Sequence, residues 1–175
     1  MSATPGKTTM LNVYLVGSRE PGAGSRTVTG ANGSPLPAPG SRYLLDLPGY
    51  GYARAGKIQR AGFRRLVHGV LRRPGLAGVV WLLDIRHDPS AEDRTMQEAL
   101  AAAGVPVLAA LTKGDKLPKS QRGRRLTALR DLLALDSEQV LITSARSGEG
   151  IADLRAAVDA FGGGKPREAR DAHGA

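Results

Sequence analysis

The chain has 175 residues, enough for one domain with a sizeable core. It has no cysteine, which excludes disulfides, thiolate metal sites and cysteine nucleophiles, and no apolar run approaches the length of a membrane span or resembles a secretory leader. Lys and Arg number 25 against 16 Asp and Glu, a net charge of +9 that suits a polyanion such as RNA as well as it suits Arg-rich solvated faces. A soluble cytoplasmic protein is expected.

Residues 9–16 (TMLNVYLV) are rich in β-formers and predict a strand. Residues 17–42 are rich in Gly, Pro and Ser without apolar period, which predicts a disordered insertion. Residues 43–47 (YLLDL) predict a short buried strand running into the loop 48–52 (PGYGY). Apolar residues at 58, 63, 66, 67, 70 and 71 fit one helix face, with Arg60, Arg64, Arg65, Arg72 and Arg73 mostly off it. Residues 78–85 predict the next strand. Ser90 can N-cap a helix that continues to Ala103 and stops at Gly104. A strand over 105–111, a helix over 119–133 with Leu126, Leu129, Leu132 and Leu133 inward, a strand over 140–143 and a helix over 151–161 complete the set. Residues 162–175 read as a polar, disordered tail. Strands alternating with helices predict an α/β fold with a mostly parallel sheet and helices on both faces. Ligands of such sheets bind outside the carboxyl ends of the strands.

The loops at those ends hold the chemistry. Asp46-Leu47-Pro48-Gly49 follows a strand; the Asp can hold Mg2+ through water and the Gly can bring its N–H against a terminal phosphate. Thr112-Lys113-Gly114-Asp115 follows another. A fixed carboxylate at Asp115 matches the two adjacent donors of guanine, N1–H and the 2-amino group, which adenine lacks. The wrong base would leave buried polar groups unpaired, at about 1–3 kcal/mol each. The stem of Lys113 can cover the base. Thr143-Ser144-Ala145 follows the last strand, and its backbone N–H groups can reach the guanine carbonyl oxygen. Each short run alone is an ordinary polar turn. Three in this order, each after a strand and separated by helices, are the arrangement of a P-loop NTPase-type G domain.

LLDLPGYGYAR, DIRHDPS, VPVLAALTKGDKLPKSQ and SARSGEGIADL together resemble the EngB (YihA/YsxC) family of GTP-binding proteins. The resemblance covers most of 2–16 and 43–158, placing a G domain at 1–161 around the insertion. It implies GTP and GDP with Mg2+ as ligands, the large ribosomal subunit and its rRNA as partners, a role linked to cell division and septation, and a cytoplasmic monomer. Arg122, Arg124, Arg125 and the basic segment 54–73 are then candidates for RNA contact.

Gly6-Lys7-Thr8 looks like the end of a P-loop, but Met1 stands where the first Gly belongs and a strand-like run follows. Thr4-Pro5-Gly6-Lys7-Thr8-Thr9 instead resembles the family's switch I, whose threonine, here Thr8, meets Mg2+ and the γ-phosphate. The run from Gly51 to Ile58 also fits Gly-x4-Gly-Lys, but Ile58 has no hydroxyl for a metal and the segment corresponds to switch II. The chain is therefore expected to be an N-terminally truncated G domain without the family's first strand, P-loop and first helix. Either the protein starts further upstream, which is the favoured expectation, or it is a degenerate, non-hydrolysing RNA- or ribosome-binding module. An ATP-using kinase fits least, because the 112–115 loop selects guanine. Tyr50 stands where many GTPases carry the Gln that orients water, so slow intrinsic hydrolysis is expected, with no catalytic side chain assigned. His68, His87 and His173 form no catalytic or metal-binding group.

Overall fold

The computed structural model describes residues 12–16, 42–49 and 57–161. The switch I candidates Gly6, Lys7 and Thr8, residues 17–41 of the expected insertion over 17–42, Tyr50 and the tail lie outside them, while Arg42, expected to end the insertion, instead begins a strand. The chain divides into two compact units, 1–63 and 64–175.

In the first unit β1 (Asn12–Val16) pairs antiparallel with β2 (Arg42–Asp46), Asn12 opposite Asp46 and Tyr14 opposite Leu44. Among the described residues no third strand joins this ribbon. The expectation of a buried strand at 43–47 is corrected here. Tyr43 is 53% and Leu44 48% exposed, as are Val13 and Tyr14 at similar levels, because each strand of the ribbon has only one described neighbour. Helix α1 (Lys57–Leu71) follows, with Val67, Val70 and Leu71 buried and Arg64, Arg65, Arg72 and Arg73 exposed, as the apolar spacing predicts.

The second unit is built on a parallel sheet in the order β3 (Val79–Asp84), β4 (Val107–Thr112), β5 (Val140–Ile142). Successive residues of a strand face opposite sides. Leu108, Ala109, Ala110 and Leu111 are all buried, so β4 is covered on both faces. On β3, Trp81 and Leu83 are buried while Leu82 between them is 62% exposed, so one face of this edge strand is open. Helices α2 (Ala91–Ala103), α3 (Lys119–Leu132) and α4 (Ile151–Phe161) alternate with the strands.

The ends of α2 follow from their residues. Ser90 Oγ accepts from Asp93 N–H at 3.1 Å, Asp93 returns the bond by accepting from Ser90 N–H at 2.8 Å, and Gly104 closes the helix at φ 58°. Helix α3 buries Leu129, and Leu133 just beyond it is 1% exposed. Leu132 does not point inward as expected but is 46% exposed, while Leu129 and Leu133, four positions apart, share the buried face.

Candidate functional site

The carboxyl ends of the three parallel strands are stitched together beyond their ladders. Ile85 N–H donates to Thr112 O at 3.1 Å, Thr143 N–H to Leu111 O at 2.8 Å, and Gly114 N–H to Thr143 O at 3.0 Å. The Thr112 hydroxyl adds a bond to Leu83 O at 3.0 Å. The loops at 84–87, 112–115 and 143–150 therefore leave one edge of the sheet from fixed starting points.

The closest approach is at Gly114. A Cβ there would lie 2.6 Å from Ile142 Cγ2 and 3.4 Å from Thr143 O, so the 112–115 loop can sit against the end of β5 only with glycine at this position. Lys113 before it takes the left-handed conformation at φ 62°, and Gly114–Lys116 form one 3-10 turn. This turn sets the Asp115 carboxylate beside the 143–145 loop. Ser144, fully buried, donates its hydroxyl to Asp115 Oδ1 at 2.7 Å and accepts from Ser147 N–H at 3.2 Å. Ser144 N–H donates to Glu149 O and its carbonyl accepts from Gly148 N–H, both at 2.9 Å. The serine is thus held on every side, and it holds the aspartate.

The electrostatics favour a carboxylate. The Asp115 carboxyl titrates below its ordinary value, first because of the Ser144 hydroxyl, then against some desolvation, with Lys116 and Arg146 adding positive charge. Oδ2 of Asp115 stands 3.9 Å from Lys116 Nζ, outside hydrogen-bond distance. The N–H groups of Ala145 and Arg146 have no acceptor among the described residues. One carboxylate oxygen held from behind, a second accessible, and free N–H groups in the neighbouring turn form a site with acceptor and donor character together.

Arg122 braces this site. Its Nε donates to Leu117 O at 2.9 Å and its Nη1 to Glu149 Oε1 at 2.7 Å, tying the 3-10 turn to the 143–150 loop. Arg125 is likewise engaged, with Ile85 O at 2.8 Å and Asp88 at 2.7 Å. Of the Arg122, Arg124 and Arg125 cluster expected to meet RNA, only Arg124 has no partner among the described residues. It lines an open cleft with Arg86, Leu117, Gln121, Arg125 and Ala128.

Asp84 belongs to none of the three loop motifs read from the sequence. It ends β3 as Asp46 ends β2, and an acidic residue closing an apolar strand is the signal that marks both. Asp84 accepts from Arg86 Nε and Nη2 and from Lys113 Nζ, at 2.9, 2.7 and 2.8 Å, and these cations hold its carboxyl far below the usual range. His87 donates its backbone N–H to Asp84 O at 3.1 Å in the same turn, and its exposed imidazole has no assigned role.

Thr112, Lys113, Gly114, Asp115, Thr143, Ser144 and Ala145 thus come together in the second unit. Asp46, Leu47, Pro48 and Gly49 lie in the first. Asp46 is exposed at the end of β2, its Oδ2 3.5 Å from Asn12 Nδ2. Among the described residues no three His, Asp or Glu side chains cluster as metal ligands, and no helix is long and apolar enough to cross a membrane.

No protein-family model matches the chain. It is 47% identical over 116 residues to the "Probable GTP-binding protein EngB" of Gemmatimonas aurantiaca, covering 66% of this chain and 57% of that one. The protein of the same name from Syntrophomonas wolfei is 36% identical over 158 residues, covering 90% of this chain and 70% of the relative. That from Heliobacterium modesticaldum is 32% identical over 173 residues, covering 97% and 74%. Among solved structures, a probable GTP-binding protein engB superposes with a TM-score of 0.60 at 17% identity, over 68% of this chain and 75% of that one. Aquifex aeolicus Era bound to GDP and aluminium fluoride superposes with a TM-score of 0.55 at 15% identity, over 69% and 40%. These two likenesses establish the fold, that of a GTPase G domain.

Proposed function

Because the chain belongs to the EngB family of GTP-binding proteins, we propose that the 112–115 and 143–145 loops form its guanine pocket and that nucleotide state switches its binding to the large ribosomal subunit. The observation that carries the first part is the buried Ser144 hydroxyl on Asp115 at 2.7 Å. It presents an ionised carboxylate with Oδ2 open and a second lone pair left on Oδ1, the acceptors that guanine N1–H and its 2-amino group require. The Ala145 N–H is the matching donor for the guanine carbonyl oxygen, and the stem of Lys113 covers the ring face.

The family resemblance assigns the phosphate contacts to Thr8, next to Gly6 and Lys7, and to Asp46 and Gly49. Asp46 suits a hard cation: its carboxylate is exposed and, among the described residues, held only by a long contact to Asn12, so it can take a metal-bound water. Bound Mg2+ would neutralise phosphate charge. Thr8 offers it a hydroxyl, and Gly49 offers an N–H to the γ-phosphate. Loss of that phosphate removes the contacts that order both segments, which is the switch. With Tyr50 in place of a water-orienting Gln, hydrolysis by the chain alone is slow and a partner completes the site.

The net charge of +9 and Arg124, which has no partner among the described residues, support an RNA partner. Large-subunit assembly, the link to cell division and septation, the cytoplasmic location and the monomeric state follow from the family resemblance.

Titration with fluorescent GDP and with xanthosine diphosphate, on the chain and on Asp115→Asn, tests the reading. Xanthine carries a carbonyl where guanine carries its amino group. The substituted protein should lose guanine affinity and gain xanthine affinity. Equal affinities in both proteins would overturn the pocket assignment, and binding of rRNA without any nucleotide dependence would favour a nucleotide-independent RNA module.

A further inference from the structure

We propose that Asp84 is a positioning residue for base binding: its carboxylate anchors the Lys113 ammonium, so that the lysine stem runs from the end of β4 to the end of β3 as a fixed rail under a purine. The proposal rests on the guanine reading above and deepens it.

Lys113 is an unusual place for a rail. Its backbone is left-handed at φ 62° and its side chain is 54% exposed. A long exposed lysine has many rotamers, and a ligand that must order it loses affinity to that entropy. Here the ordering is already done. Lys113 Nζ donates to Asp84 Oδ2 at 2.8 Å.

The anchor is itself immobile. Arg86 grips Asp84 with Nε on Oδ1 at 2.9 Å and Nη2 on Oδ2 at 2.7 Å, and the Arg86 backbone N–H adds a third bond to Oδ1 at 3.1 Å. With Lys113, four donors fill the carboxylate, which has about four lone-pair sites. Asp84 is also the last residue of β3, in register with Thr112, the residue before Lys113. The ion pair therefore links two rigid strand ends, and only the lysine stem lies between them. Asp84 balances part of the positive charge of Arg86 and Lys113, and with its acceptor positions filled by these donors it acts on the base only through Lys113.

A mutant cycle on the whole chain tests this, with fluorescent GDP affinity as the readout for Asp84→Asn, Lys113→Ala and the double variant, and Asp84→Glu as the rescue. Asp84→Asn should weaken GDP binding about tenfold. Asp84→Glu should recover most of that loss, and in the Lys113→Ala background the Asp84→Asn change should add almost nothing. Independent, multiplying losses in the double variant, or no loss in Asp84→Asn, would overturn the proposal. If Asp84→Asn does not fold, limited acetylation of the unaltered chain replaces it. Lys113 should then react several-fold more slowly than Lys119, and equal rates would overturn the anchor. The guanine reading fails separately, if Asp115→Asn does not change the choice between guanine and xanthine diphosphates.

Discussion

Ser144 Oγ donates to Asp115 Oδ1 at 2.7 Å although the two residues stand 29 positions apart. The bond joins the loop after β4 to the loop after β5, and it is the main reason the Asp115 carboxyl titrates below its ordinary value. Ser144→Ala should therefore act on guanine binding through pH. A lowered carboxyl stays ionised further into acid, so affinity in the unaltered chain should hold as pH falls, until the lowered value is reached. In Ser144→Ala the decline should begin at higher pH, and affinity at pH 7 should already be about three- to tenfold weaker, because the carboxylate has lost its fixed orientation. The same sign applies to stability. The contribution of a lowered carboxyl is present above its unfolded value of about 3.9 and is lost as pH falls through the folded value. GDP titrations from about pH 3 to 8, with buffers spaced by about half a unit, would show the two profiles. Superimposable profiles would separate Ser144 from base recognition.

The second prediction concerns the end of α3. Leu133 caps the helix and Ala134 follows at φ 47°. Ala134 N–H donates to Asp131 O at 3.2 Å and Leu135 N–H to Arg130 O at 3.1 Å, the paired bonds of a helix stop built for glycine. Alanine there has a Cβ that crowds the left-handed backbone. Ala134→Gly should stabilise the protein by about 1 kcal/mol, read by urea denaturation, without altering GDP affinity. An unchanged or lower midpoint would mean that the backbone entropy of glycine outweighs the strain it relieves.

How much of this could be read from the residues depends on how locally each feature is encoded. Helix α2 was legible at both ends because Ser90 and Gly104 sit where their own chemistry stops or starts a helix. The positions of Asp115 and Ser144 were legible as loops after strands. Their contact was not, since no spacing rule links residues on different strands. The same is true of Asp84 and Lys113, which meet only because β3 and β4 are neighbours in register. Ala134 was illegible for the opposite reason: it stands where the helix stop calls for glycine. Tyr43 and Leu44 have the composition of a buried strand, but composition does not say what covers a strand, and here both are exposed. Arg122 and Arg125 look like free surface charge in the sequence, whereas their guanidinium groups close loops by bonding carbonyls and carboxylates.

Gly150 tests whether the pocket depends on the tight junction behind it. Its φ is +68°, and a Cβ built on it would lie 2.0 Å from Ile142 O, 3.1 Å from Ile142 C and 3.4 Å from Thr143 Cα. All three are backbone atoms, so no side-chain rotation can relieve the clash. Either the end of β5 or the start of α4 must move, and Thr143 and Ser144 directly follow β5. Gly148 is the control. It also has positive φ, at +78°, but nothing lies within 4 Å of a Cβ there, so Gly148→Ala carries only the left-handed strain of about 1 kcal/mol. Gly150→Ala should cost about 2–4 kcal/mol and should weaken GDP binding as well, because it shifts the serine that orients Asp115. Urea denaturation and GDP titration of both variants would measure the difference. A Gly150→Ala protein as stable and as tight-binding as Gly148→Ala would show that the 143–145 loop takes up the displacement without moving Ser144.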